Sequence, residues 1–241
     1  SQGLADKVLN KSLSEKEREH WLEELRLSCA DESVWLQEYC CEPLDSATTL
    51  LPYQLIEQCE DFQLQIFSSP EEITSGKIFL GIDIARSGHT TVIWGLEKIG
   101  SRFVTRIYKE LHDTTFDDQE QIIAGFLKLP QIKRCCIDAT GLGMHIAENL
   151  RTKAIYRKFR FKVEAVTFTQ SLKELLAYQL KHCFENLTIA IPFAYHIRDD
   201  LHSIRQTPTK SQNVRLEAAE ISMTNESGKK IKRHGDIFWA M

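Results

Sequence analysis

The sequence is poor in the residues that punctuate or cross-link a chain. Six prolines and eleven glycines among 241 residues are too few for a collagen-like or linker-like polymer. The seven cysteines (Cys29, Cys40, Cys41, Cys59, Cys135, Cys136 and Cys183) are odd in number and contain no C-x-x-C pair. Neither a zinc ribbon nor a disulfide framework is therefore expected; reduced core thiols of an intracellular protein are. No apolar run approaches the roughly 20 residues that span a bilayer, and no basic segment leads into an apolar stretch as a signal peptide would. There is no G-x-S-x-G elbow for serine catalysis. A Walker loop is also missing: Gly76-Lys77 has no glycine five residues before it, and Ile78 stands where Ser or Thr is required. The chain starts at Ser1 rather than Met, as expected of an excised piece or a tag remnant. With 42% apolar and 27% charged residues, what remains is an ordinary folded chain.

The net charge of −4 hides two unlike parts. Residues 1–69 carry 5 basic and 14 acidic residues, and residues 70–241 carry 25 basic and 20 acidic; the first part is acidic and the larger second part basic. The first part reads as a helical connector that packs on a neighbour. Residues 11–28 form a helix in which Ser14 and Glu17 make a capping box and Trp21, Leu22 and Leu25 repeat at helical spacing. Residues 33–39 make a second short helix, and residues 53–61 a turn or two more. Ser68-Ser69-Pro70 marks the domain boundary. Beyond it, residues 77–84 (KIFLGIDI) form a central strand, 90–97 and 102–110 two more about a turn at Gly100-Ser101, then helix 117–129, strand 134–138, helix 142–154, strand 162–167 and helix 172–184. Residues 214–224 and 230–232 flank Asn225-Glu226-Ser227-Gly228 as a hairpin. Three adjacent antiparallel strands followed by helix–strand alternation predict an α/β sheet covered by helices.

Two aspartates stand where apolar strands end: Asp83 in KIFLGIDI and Asp138 in CCIDATG. An ionised carboxylate inside such a run requires a cation or hydrogen-bond donors. Asp236, in RHGDIFWA, is a third. Carboxylates from separated segments can converge at one sheet edge and hold hard divalent cations through oxygen; each taken alone could instead cap a helix or a strand end. His234, two residues from Asp236, could ligate a metal, accept a proton from water, or be a surface residue. Basic residues cluster twice. Arg151, Lys153, Arg157, Lys158, Arg160 and Lys162 form an acid-free run, equally a solvated face or a phosphate contact. Lys229, Lys230, Lys232 and Arg233 lead directly into Asp236, which favours a polyanionic backbone held over the site. Arg86, three residues after Asp83, is a further phosphate-contact candidate.

The segments GIDIARSGHTTVIWGL, CIDATGLGMHIAENL and HGDIFWAM resemble the three acidic motifs of the nuclease domain of phage terminase large subunits, those of Mu-like prophages in particular. VWLQEYCCEPLD, FTQSLKELLAYQL and Val214-Arg215-Leu216-Glu217 extend the likeness, which runs in order from about Ser33 onward. The resemblance implies an RNase H-like fold, with a mixed central sheet flanked by helices. It implies an endonuclease that cuts concatemeric double-stranded DNA during genome packaging, in the host cytoplasm at the procapsid. It carries Asp83, Asp138 and Asp236 over as ligands of two Mg²⁺ or Mn²⁺ ions about 4 Å apart. In that scheme Asp83 is shared and the products bear 5′-phosphate and 3′-hydroxyl ends. It implies an N-terminal packaging ATPase domain ahead of the connector, and portal protein and small terminase subunit as partners. The sequence departs from the family pattern in having Ser87-Gly88-His89 where a further acid is often found. Its last helix is also short, so Asp236 is expected to be loosely held.

Two readings compete. GIDIARSGHTTV and IDATGLG loosely resemble the phosphate loops of the actin-like and sugar-kinase ATPases, which have two lobes. A catalytically inactive module docking on DNA or a portal is the other.

Overall fold

The computed structural model describes residues 14–27, 48–85, 90–208, 214–219, 221–224 and 230–241. The chain divides into two compact units, Ser1–Thr48 and Thr49–Met241. In the first, helix α1 (Glu15–Leu27) opens with the Glu17 half of the expected capping box. The Ser14 amide and hydroxyl both donate to Glu17 Oε2, at 2.8 and 2.6 Å, which satisfies donors that a helix start leaves open. The second helix expected at residues 33–39 lies outside the described residues.

The second unit begins with helix α2 (Tyr53–Gln58). The strands that follow are β1 (Ile78–Asp83), β2 (Thr90–Ile99) and β3 (Arg102–His112), then helix α3 (Phe116–Leu127), β4 (Ile132–Asp138), α4 (Gly143–Thr152), β5 (Val163–Val166) and α5 (Gln170–Glu185). After these come β6 (Ile189–Ala190), α6 (Tyr195–His202), β7 (Ile204–Pro208), β8 (Val214–Ala218), β9 (Ile221–Thr224), β10 (Lys230–Arg233) and α7 (Asp236–Ala240). Six strands form one sheet in the order β5-β4-β1-β2-β3-β6. The β1–β2 and β2–β3 pairs are antiparallel, whereas β4, β5 and β6 join in parallel. The sheet is thus mixed, as the order of apolar runs predicts. Among the described residues there is one such sheet, where the ATPase reading calls for two lobes.

Alternation along β1 sends its side chains to two faces. Ile78, Leu80 and Ile82 pack with Ile123 and Phe126 of α3 and Ile146 and Leu150 of α4. On the opposite face Val92 and Trp94 of β2 pack with Ala177 and Phe184 of α5, Ile197 and Leu201 of α6, and Ile237 and Phe238 of α7. The helices start where their sequences can cap them: Thr115 accepts the Asp118 amide at the head of α3, and Thr169 accepts the Leu172 amide at the head of α5. Burial pushes the Cys59 thiol up to about 11 and the Cys135 thiol still further above its ordinary range, so both are inert core groups.

Three features differ from the sequence expectation. Residues 49–69, grouped above with the connector, contribute Leu50, Leu51, Ile56 and Cys59 to the second core. They are tied in by backbone bonds such as Leu50 N–H to the Ile204 carbonyl at 2.8 Å and Phe67 N–H to the Arg106 carbonyl at 2.7 Å. The expected hairpin arm at 214–224 is two strands. β8 pairs with β7, and only β9 pairs with β10, with Thr224 opposite Lys230. Finally, two lysines of the first basic run serve the fold. Lys153 and Tyr156 both hydrogen-bond the buried Glu120, while buried Lys162 donates to the Leu127 and Leu129 carbonyls at 2.8 and 2.7 Å. Burial raises the Glu120 carboxyl, but the bonds from Lys153, Tyr156 and Asn149 outweigh it and leave it below its ordinary value.

Candidate active site

Asp83 ends β1 and Asp138 ends β4. These strands are parallel neighbours with Ile82 opposite Ile137, so the two aspartates follow in register at the carboxyl end of the sheet, where α/β folds place their ligands. Each is half-buried. The chain leaving Asp83 is held by a buried knot: the Ala85 amide donates to Thr91 Oγ1 at 2.8 Å, Thr91 Oγ1 donates to Gln119 Oε1 at 2.9 Å, and Gln119 Nε2 donates to the Ala85 carbonyl at 3.1 Å. The chain leaving Asp138 turns back at once, since the Thr140 amide donates to Asp138 Oδ1 at 2.7 Å.

Asp236 arrives from far along the chain, at the first position of α7. α7 lies on the face of β1 that carries Gly81 and Asp83. A Cβ at Gly81 would lie 2.0 Å from the Ala240 carbonyl oxygen, so glycine is what lets the helix approach. Gly235 turns the chain into α7 with φ of 78°, a left-handed conformation that a side chain disfavours.

A fourth carboxylate, Asp200, has no counterpart among the sequence candidates. It is fully buried on α6, and its Oδ1 accepts the Phe238 amide of α7 at 3.0 Å. α7 has five residues, too short to hold itself, and this bond pins its first turn. The available signal was an aspartate inside an apolar helical stripe: Ile197, Asp200, Leu201 and Ile204 fall at i, i+3, i+4 and i+7. Asp200→Ala is expected to lower the thermal midpoint below that of Asp200→Asn, by the equivalent of about 1–3 kcal/mol, because asparagine keeps the acceptor. Equal midpoints in calorimetry would show that the bond to Phe238 does not anchor α7.

Asp83 feels the other three carboxylates. Burial first, then the carboxylates of Asp236, Asp138 and Asp200, hold the Asp83 carboxyl well above the usual carboxylate range, opposed by Lys173. Among the described residues, no three His, Cys, Asp or Glu side chains are already spaced to hold a metal ion. The carboxylates of Asp83, Asp138 and Asp236 nevertheless suit one, being oxygen donors on half-buried residues, the kind a hard divalent cation takes. A cavity of about 500 Å³ runs from Asp138 between the sheet and α5, with Phe79, Cys136, Leu176 and Trp239 in its walls.

Of the other sequence candidates, His234 is exposed in the bend between β10 and α7. Lys230, Lys232 and Arg233 lie on β10, which leads through His234 and Gly235 into Asp236. Arg86 and Lys229 lie outside the described residues. The geometry thus sets Asp83 and Asp138 at the ends of neighbouring strands and lays α7, which starts at Asp236 and is bonded by Asp200, against β1, with the basic strand β10 leading into it.

The family described as the terminase RNaseH-like domain matches residues 80–241. No curated protein matches the sequence. Among solved structures, the large terminase nuclease from thermophilic phage G20c with bound magnesium is similar with a TM-score of 0.55 and 17% identity, over 80% of this chain and 94% of that one. Its cobalt-bound form gives 0.54, also at 17% identity. The large terminase nuclease domain of Thermus phage P74-26 gives 0.52 at 17% identity, over 78% of this chain and 90% of that one. The large terminase of bacteriophage HK97 gives 0.51 at 8% identity, over 70% of this chain and 39% of that longer one. At these identities the structural likeness is one of fold.

Proposed function

The chain belongs to the family of terminase RNase H-like domains, and from that premise we propose that it is the metal-dependent endonuclease of a viral DNA-packaging terminase, cutting concatemeric double-stranded DNA. What supports this reading is that Asp83 and Asp138 end neighbouring parallel strands while the helix that starts at Asp236 packs on β1 at Gly81. Asp83, which feels both other aspartates, together with Asp138 and Asp236, would hold the Mg²⁺ or Mn²⁺ ions, Asp83 as the ligand common to both. Bound there, such ions activate a water for attack and stabilise the departing 3′ oxygen, leaving 5′-phosphate and 3′-hydroxyl ends.

The protein's own contribution is placement. β1 and β4 present two carboxylates in register, and α7, held by Asp200 and by the close approach at Gly81, brings the third. His234, exposed two residues before Asp236, would take a proton from water. Lys229, Lys230, Lys232, Arg233 and Arg86 contact phosphates, which positions a duplex without reading its bases. The acidic residues 1–48 connect to the packaging ATPase, and portal protein and small terminase subunit complete the assembly in the host cytoplasm. Among the described residues no helix is long and apolar enough to cross a membrane.

Supercoiled plasmid is expected to be nicked and linearised with Mg²⁺ or Mn²⁺ and left intact with EDTA, giving ends that ligate without prior phosphorylation. Cleavage that persists in EDTA would overturn the metal-dependent reading. Binding of the plasmid without cleavage in Mg²⁺, Mn²⁺ and Co²⁺ would favour the inactive docking module.

A further inference from the structure

Lys173 lies in the first turn of α5, on the face of the sheet that carries Asp83. Its ammonium rests on two aromatic rings, 4.8 Å from the ring centroid of Trp239 and 5.8 Å from that of Phe168. The rings pack on each other with centroids 5.6 Å apart. One ring is on the helix that starts at Asp236, and the other is on a residue hydrogen-bonded to the turn after Asp138. Trp239 is three residues after Asp236 on α7, and the Phe168 amide donates to Thr140 Oγ1 at 3.0 Å, in the turn after Asp138. Lys173 thus rests on the helix that carries Asp236 and on a loop hydrogen-bonded to the turn after Asp138.

A lysine beside a carboxylate ordinarily reaches it, since its four-carbon stem is flexible and its three donors are strongly hydrated. Lys173 instead makes no ion pair within 4.0 Å among the described residues, although its charge is felt at Asp83. The rings hold the stem and one side of the ammonium, leaving N–H donors directed away from them. Once divalent cations offset the aspartates, the charge left at this position is the ammonium. A phosphodiester, with one negative charge and two unshared oxygens, is the group that matches it.

We propose that Lys173 donates to a non-bridging phosphate oxygen of the DNA strand held at the carboxylate cluster, setting the backbone in place for attack. The assignment rests on the nuclease reading above and adds to it a residue that sequence reasoning had not selected. Lys173→Met keeps the stem on Trp239 and Phe168 and removes the charge; Lys173→Arg keeps the charge.

The test is fluorescence anisotropy of the full chain with a labelled 30-base-pair duplex in Ca²⁺, across a salt series, alongside plasmid-cleavage kinetics in Mg²⁺. For Lys173→Met, the slope of log affinity against log salt is expected to flatten by about 0.9, the loss of one phosphate contact. KM should rise roughly tenfold, at about 1.4 kcal/mol per factor of ten. Lys173→Arg should recover most of both. An unchanged slope and KM in Lys173→Met, with or without a lower thermal midpoint, would mean that the lysine only braces α5 against α7, and would overturn the assignment. Wild-type protein that binds no duplex overturns the nuclease reading and the lysine contact together. Wild-type binding with an unchanged variant slope overturns the lysine contact alone.

Discussion

Asp83→Asn should reduce divalent-dependent DNA cleavage by roughly a thousandfold, about 4 kcal/mol of barrier, while making the metal-free protein more resistant to heat. The two effects share one cause. Burial and three neighbouring carboxylates raise the Asp83 carboxyl well above its usual range, so the fold disfavours the ionised form on which cation binding depends. The sign follows from linkage. For a carboxyl raised in the folded state, no penalty exists below its unfolded value of about 3.9. The penalty then grows as pH rises through the folded value, beyond which it is constant. Asparagine has no proton to lose and escapes it. The melting temperature of Asp83→Asn should therefore exceed that of the wild type by about 2 °C or more at neutral pH, and the gap should close towards pH 4. Mg²⁺ or Mn²⁺ should raise the wild-type midpoint by mass action and leave the variant nearly unmoved. A variant that cleaves at near wild-type rate would remove Asp83 from the chemistry, and a gap independent of pH would refute its electrostatic cause.

The second large effect is expected at a residue with no functional group. Gly81→Ala places a Cβ 2.0 Å from the oxygen and 3.0 Å from the carbon of the Ala240 carbonyl. These are backbone atoms of the helix that carries Asp236, and they cannot turn aside as a flexible side chain would. Either β1 or α7 must shift, at about 1–3 kcal/mol for overpacking. A displacement of the order of 1 Å at a catalytic carboxylate can cost a hundredfold in rate. Gly95→Ala separates the two consequences. Its Cβ would meet the Ile107 side chain at 2.8 Å on the other face of the sheet, so it should lose stability and keep its activity. Paired melting curves and cleavage rates decide the matter: similar rates in the two variants would mean that the approach of α7 to β1 does not set the position of Asp236.

Much of the architecture could be read from local pattern. KIFLGIDI and RCCID are apolar runs that a central strand requires, and their aspartates stand out because a charge there needs a reason. Thr115 and Thr169 lie just before amphipathic stretches and cap them as such residues do. The same pattern could not reveal β6, whose two residues are shorter than any periodicity. Nor could it divide 214–224 between two partners: residues 214–218 find β7 in one sheet while 221–224 find β10 in another. Residues 49–69 read as a connector because their apolar residues are scattered. Leu50, Leu51 and Ile56 acquire a core only when α5 and α6 are packed beside them.

The sequence by itself determined the mixed α/β order, the strand-end aspartates Asp83 and Asp138, and the opposed charges of its two unequal parts. These are local properties: side-chain periodicity, the solvation cost of a carboxylate, and the sum of charges. Tertiary structure alone decided that Asp200, on a different helix, holds the helix bearing Asp236, that Gly81 is the floor beneath that helix, and that Lys173 rests on Trp239. Each depends on segments far apart in the chain meeting at atomic distance, and hydrogen bonds, van der Waals exclusion and cation–π attraction act only at that range.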